Sequence, residues 1–106
     1  MKSIPLSRLS WWPELREEAF VRYGRRCIVC GHTGSPDNPL QVDHCLPRSI
    51  YRRYERKLWN LQPMCRQHNQ AKSYTQWTDY RPWNGYAMEK FLVLRSRFWF
   101  EVRRKY

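Results

Sequence analysis

The chain has 106 residues, with 20 Lys and Arg against 9 Asp and Glu, a formal charge of +11. That length gives one small domain with a limited core, and that charge makes polyanions the expected partners, nucleic acid before anionic membrane. Aromatic residues at 16%, six of them Trp, exclude a basic disordered tail, and no apolar run approaches the length of a membrane span.

The N-terminus has no apolar stretch ahead of a small-residue cleavage site, so a signal peptide is not expected. In the reducing, intracellular setting this implies, the four cysteines are expected as thiolates rather than disulfides.

Residues 1–9 read as a flexible basic arm. Pro13 to Tyr23 predicts a helix, with Pro in the first turn, Glu14, Glu17 and Glu18 early, Arg22 late and Gly24 as the stop. Leu15, Ala19, Phe20 and Tyr23 would form its core stripe. Arg25 to Gly31 reads as a tight knuckle, and Gly34 to Pro39 as a loop. Leu40 to His44 alternates and predicts a short strand, ended by Pro47. Arg48 to Lys57 is a basic loop or irregular helix. Asn60 to Met64 predicts a second short strand, followed by a helix from Cys65 to about Ser73. Asp79 to Gly85, with Pro82, reads as a linker. Phe91, Leu94, Phe98 and Val102 recur at helical spacing and predict a C-terminal helix, its aromatics serving a core or an interface.

Two pairs of metal-ligand residues stand out: Cys27-x-x-Cys30 and Cys65-x-x-His68. A Cys-x-x-Cys turn sets two sulfurs on one side of a knuckle, and Cys65 and His68 at i and i+3 share a helix face. Thiolate and imidazole suit Zn²⁺, and four protein donors leave no open position, so this zinc is expected to be structural. His32 and Cys45 are left over and are expected to pack rather than ligate.

Val42-Asp43-His44 with Pro47, Asn60-Leu61-Gln62-Pro63-Met64-Cys65, His68-Asn69 and Lys72-Ser73 together resemble the HNH endonuclease family. Trp12-Pro13-Glu14-Leu15-Arg16 and the Cys27–Cys30 knuckle are similar to its zinc-containing, phage-type members. The resemblance covers roughly residues 10–75, and each piece alone is a weak signal. It implies an α+β, ββα-metal (His-Me finger) fold: a strand pair and a helix around one catalytic divalent cation, a structural zinc knuckle, and flanking N- and C-terminal helices. The nuclease domain would then be residues 10–78, preceded by the arm and followed by a linker and basic, aromatic helix at 79–106.

The chemistry of the residues fits those roles. Phosphodiester hydrolysis needs a base for the attacking water, and His44 titrates near neutral pH. Asn60 would accept from the imidazole Nδ1–H and leave the other nitrogen free. Asp43 and His44 diverge on a regular strand, so they flank one site only where the strand bends or ends. Asp43 would bind the cation. In most family members a histidine ends the motif where this chain has Asn69, and a cysteine ligates zinc where it has His68. Aligning His68 with the final histidine would leave zinc one ligand short, so the spacing from Cys65 assigns Asn69 as the second cation ligand, an H-N-N variant. An amide oxygen is a hard donor, which favours Mg²⁺ or Mn²⁺. Arg48, Arg52, Arg53, Arg56, Arg66 and Lys72 are expected to contact nucleic acid.

The resulting expectation is an intracellular endonuclease cutting double-stranded DNA to 5′-phosphate and 3′-hydroxyl ends. One site per chain implies nicking by a monomer, with a weak dimer left open. The alternatives are a zinc-stabilised nucleic-acid-binding module without catalysis and an adaptor beside a phage packaging terminase.

Overall fold

Proline just inside the start and glycine just past the end set the first helix. The computed structural model describes residues 5–72 and 76–105; Ser73 and the start of the basic arm lie outside them. Residues Leu6–Arg8 of that arm form a 3-10 turn, with Leu6 and Leu9 packed against the core. Helix α1 spans Trp12–Tyr23, and the Gly24 N–H closes it on the Phe20 carbonyl at 2.9 Å. Gly24 has φ of 96°, a conformation that glycine adopts without a Cβ penalty. Trp12, Ala19, Phe20 and Tyr23 are buried on its inner face, one turn apart as an amphipathic helix requires. Full burial of a side chain such as Phe20 contributes about 1.5–3 kcal/mol.

That face packs on a two-stranded antiparallel sheet of β1, Leu40–His44, and β2, Leu61–Cys65. The register pairs Val42 with Pro63, Asp43 with Gln62 and His44 with Leu61. Proline has no N–H to give the ladder, and the Pro63 carbonyl instead accepts from Ile28 N–H at 2.9 Å, which docks the knuckle on the sheet. The second strand leads directly into α2, Arg66–Ala71, with Cys65 as its N-cap residue. Asn38 Oδ1 accepts from Gln67 N–H at 2.9 Å, supplying from outside the cap that Cys65 does not. These elements make a small α+β domain in which β2 and the short helix run on without a break and residues 45–60 return the chain from β1 to β2.

Two parts of the C-terminal third differ from the sequence expectation. Residues 79–85 are not a loose linker. Arg81 is fully buried, paired with Asp79 at 2.9 Å and donating to Tyr23 Oη and the Leu61 carbonyl. The guanidinium therefore ties α1 to β2, and no hydropathy pattern marks a buried arginine in advance. Helix α3, Trp83–Lys105, is broken at Asn84–Tyr86, where Gly85 has φ of 89°. Beyond the break its buried face carries Val93 and Phe100, packed on Cys45, Leu46 and Tyr51. Phe91, Leu94 and Phe98, the expected inner stripe, are 55%, 41% and 61% exposed. Their spacing marks an apolar face, but the core reaches α3 from a different side. Among the described residues no helix is long and apolar enough to cross a membrane.

Candidate functional site

Cys27 and Cys30 are carried by a turn in which the Gly31 N–H bonds the Cys27 carbonyl at 2.8 Å, and Cys65 and His68 come from the β2–α2 junction. One donor atom from each of the four lies within 4.8 Å of all the others. Cys30 and Cys65 sulfurs are 3.9 Å apart, Cys27 Sγ is 3.9 Å from His68 Nδ1, and Cys65 Sγ is 3.1 Å from it. Donors about 2.3 Å from one tetrahedral ion stand about 3.8 Å from each other, so the cluster has the dimensions of a single zinc-like site.

Its electrostatics also call for a cation. Burial raises the Cys65 thiol, but the His68 backbone and side chain outweigh it and bring the pKa down to about 6. At Cys30 a backbone contact with His32 lowers the pKa, yet burial and the Cys27 and Cys65 sulfurs leave the thiol raised overall. A second thiolate beside the first is disfavoured until a positive ion joins them. Among the described residues Cys45 and His32 are outside this cluster. Cys45 is fully buried in the core under α3, where desolvation pushes its thiol up, and His32 Nε2–H donates to the Asn38 carbonyl at 3.1 Å.

On the opposite end of β1 lies an open cleft of about 610 Å³. Asp43, His44, Arg48, Asn69 and Lys72 all line it. The strand ends at His44, so two residues that would diverge along a regular strand face one space. His44 is held from two sides. Its Nε2 is 2.8 Å from the Glu55 carbonyl, and its ring stacks on Trp12 with centroids 5.6 Å apart and planes 22° from parallel. A carbonyl only accepts, so Nε2 carries the proton and Nδ1 holds a lone pair that has no hydrogen bond among the described residues. Desolvation by burial keeps the imidazole below its usual pKa of 6.5, against the opposing pull of the Glu55 carbonyl and Asp43. Folding therefore favours the neutral ring.

Asn60 therefore does not orient His44 directly, as the sequence suggested. It is fully buried, accepts from Leu46 N–H at 2.8 Å and donates to the carbonyls of Leu46 and Tyr54 at 3.2 Å. It pins both ends of the segment after β1, and Glu55 at the far end of that segment holds the imidazole. Glu55 also pairs its carboxylate with Arg48 Nε at 2.7 Å, so one residue positions the imidazole and the cleft guanidinium together. A lone acid inside the basic run 48–57 was the available signal for it.

Asp43 Oδ2 accepts from Gln62 Nε2 at 3.1 Å and from the Lys72 ammonium, whose other partners are the carbonyls of His44 at 2.9 Å and Thr78 at 3.3 Å. The Lys72 side chain is 2% exposed, so it anchors the cleft wall and is not placed to meet a polyanion. Asn69 Nδ2 donates to Gln41 Oε1 at 2.8 Å. Asp43 Oδ1 and Asn69 Oδ1 have no hydrogen bond among the described residues, and both residues line the cleft. Arg52, Arg53, Arg56 and Arg66 are exposed and lie outside the lining of this cleft.

Compared with family models, with curated proteins and with solved structures, the chain matches none of them.

Proposed function

We propose that this chain is a metal-dependent endonuclease of the HNH, ββα-metal type, acting on DNA phosphodiesters. The observation that carries this reading is His44: a buried, neutral imidazole with Nε2–H fixed on a carbonyl, Nδ1 free, and two hard oxygens lining the same cleft. Nδ1 takes a proton from the attacking water. Trp12 and Glu55 keep the ring from rotating, and the depressed pKa keeps it unprotonated near neutral pH. Arg48, held by Glu55, is aimed to bind a non-bridging phosphate oxygen. Asp43 and Asn69 would hold a divalent cation, for which oxygen donors favour Mg²⁺ or Mn²⁺. That ion, when bound, supplies positive charge to the departing 3′-oxygen. Cys27, Cys30, Cys65 and His68 would hold structural zinc outside the lining of the cleft. The charge of +11 suits a DNA partner.

The test is incubation with supercoiled plasmid and Mg²⁺ or Mn²⁺. Nicked circles that ligase reseals, the mark of 5′-phosphate and 3′-hydroxyl ends, are expected. One observation favours the second reading, a zinc-stabilised nucleic-acid-binding module: the Lys72 ammonium already neutralises Asp43. Intact plasmid with both ions, alongside tight DNA binding, would select it.

A further inference from the structure

A second hollow, of about 430 Å³, runs between the 3-10 turn Arg52–Tyr54 and α3. Arg53, Tyr54, Arg95, Trp99 and Arg103 line it. Three guanidiniums converge there, and none has a carboxylate partner among the described residues: Glu55 is taken by Arg48 and Glu101 by Arg97. The indole of Trp99 is 52% exposed. The two walls are joined beneath by Tyr51 and Phe100, whose ring centroids are 4.4 Å apart, so the groove is built into the fold. Unpaired cations converging at one place on a small protein repel each other, and a polyanion relieves that repulsion.

We propose that this groove binds a single-stranded nucleic-acid segment, with phosphates on Arg53, Arg95 and Arg103 and one unstacked base on Trp99. A concave groove with an open aromatic face and spaced guanidiniums is what strand binding without sequence readout requires. A membrane surface would need projecting apolar side chains between the arginines. Leu92, which also lines the groove, is half-buried, and the exposed Phe98, its ring centroid 5.9 Å from that of Trp99, lies outside the lining. The inference shares with the nuclease reading its ligand class, nucleic acid, but not its catalysis.

The test is anisotropy with a labelled oligothymidylate of about 20 nucleotides, without divalent cation, so that cleavage plays no part. Trp99→Ala is expected to weaken binding about tenfold. Arg95→Gln with Arg103→Gln is expected to lower the slope of log affinity against log salt by about 1.4, at about 0.7 per lost contact. Zinc content and melting temperature of these surface variants should match wild type, which separates lost contacts from lost fold. Wild-type oligonucleotide affinity in both variants would overturn the proposal. So would vesicles containing phosphatidylglycerol that bind wild type and release Trp99→Ala while oligonucleotide binding is unchanged. A chain that cuts no plasmid but shows both losses would keep the groove and remove the nuclease reading. One that cuts plasmid with unaltered oligonucleotide binding would remove the groove alone.

Discussion

The two ends of β1 are held in different ways. At the knuckle, three sulfurs and an imidazole nitrogen converge within 4.8 Å of one another. At the cleft, most polar groups are already paired within the chain: Asp43 with Lys72 and Gln62, His44 with Glu55, Arg48 with Glu55, and Asn60 with both ends of its segment. A site that is complete only with an ion stabilises the fold when the ion binds. A site whose residues are already fixed holds them ready for a transient substrate.

Removing a knuckle donor should therefore have the largest effect. Cys65→Ser, or chelation of the wild type, should release about one zinc per chain and lower stability by several kcal/mol, a fall in melting temperature of about 10 °C or more. Metal analysis that finds no zinc in the wild type would show both ends of β1 to be held by protein alone.

Asn60→Ala should come next. It leaves the Leu46 N–H and carbonyl buried without a partner among the described residues, while the Tyr54 carbonyl keeps the Lys57 N–H, at a cost of about 2–3 kcal/mol. The Glu55 carbonyl would lose its fixed place, so turnover should fall while zinc content holds. Had Asn60 gripped the imidazole itself, stability would be nearly untouched, and a denaturant titration distinguishes the two.

The pH dependence sharpens the contrast. The folded pKa of His44 lies below its unfolded value of 6.5, so the neutral ring is favoured by folding. Its contribution to stability is complete above that unfolded value and is lost as pH falls toward the folded pKa. Cleavage should likewise be flat at neutral pH and decline only on the acid side of 6.5, and a nearby cation moves this limb further in the same direction. A pH–rate profile with its inflection above 6.5 would point to another base.

The smallest effect concerns Asn69. Asn69→His exchanges an amide oxygen for an imidazole and should raise activity with Ni²⁺ or Co²⁺ relative to Mg²⁺, with zinc untouched. If Asn69→Ala loses zinc or leaves cleavage unchanged, His68 rather than Asn69 belongs to the cleft.

The same contrast explains what the sequence made legible. Ligand spacing is a local property, so Cys27, Cys30, Cys65 and His68 could be grouped before any fold was known, as could α1 from Pro13 and Gly24 and β1 from its alternation. The cleft was legible as a set of residue types, Asp43, His44 and Asn69, but not as a network. Which carbonyl fixes His44, and that Lys72 turns inward to Asp43, depend on how the segment 46–57 returns to the sheet. The spacing of Phe91, Leu94 and Phe98 marked the helix but left core or interface open, and their exposure excludes only the core: periodicity identifies an apolar face without saying where the core is. Arg81 gave no signal at all, because burial of a guanidinium depends on Asp79 and Tyr23 meeting it in three dimensions.

The separation of the two ends is tested most directly by His44→Ala, assayed in one preparation for bound zinc and for plasmid nicking with Mg²⁺ or Mn²⁺. Zinc should stay at the wild-type level, about one per chain, while the nicking rate falls by roughly 10²-fold or more. Nicking at the wild-type rate would contradict it, and so would loss of zinc, since His44 would then belong to the scaffold rather than to the chemistry.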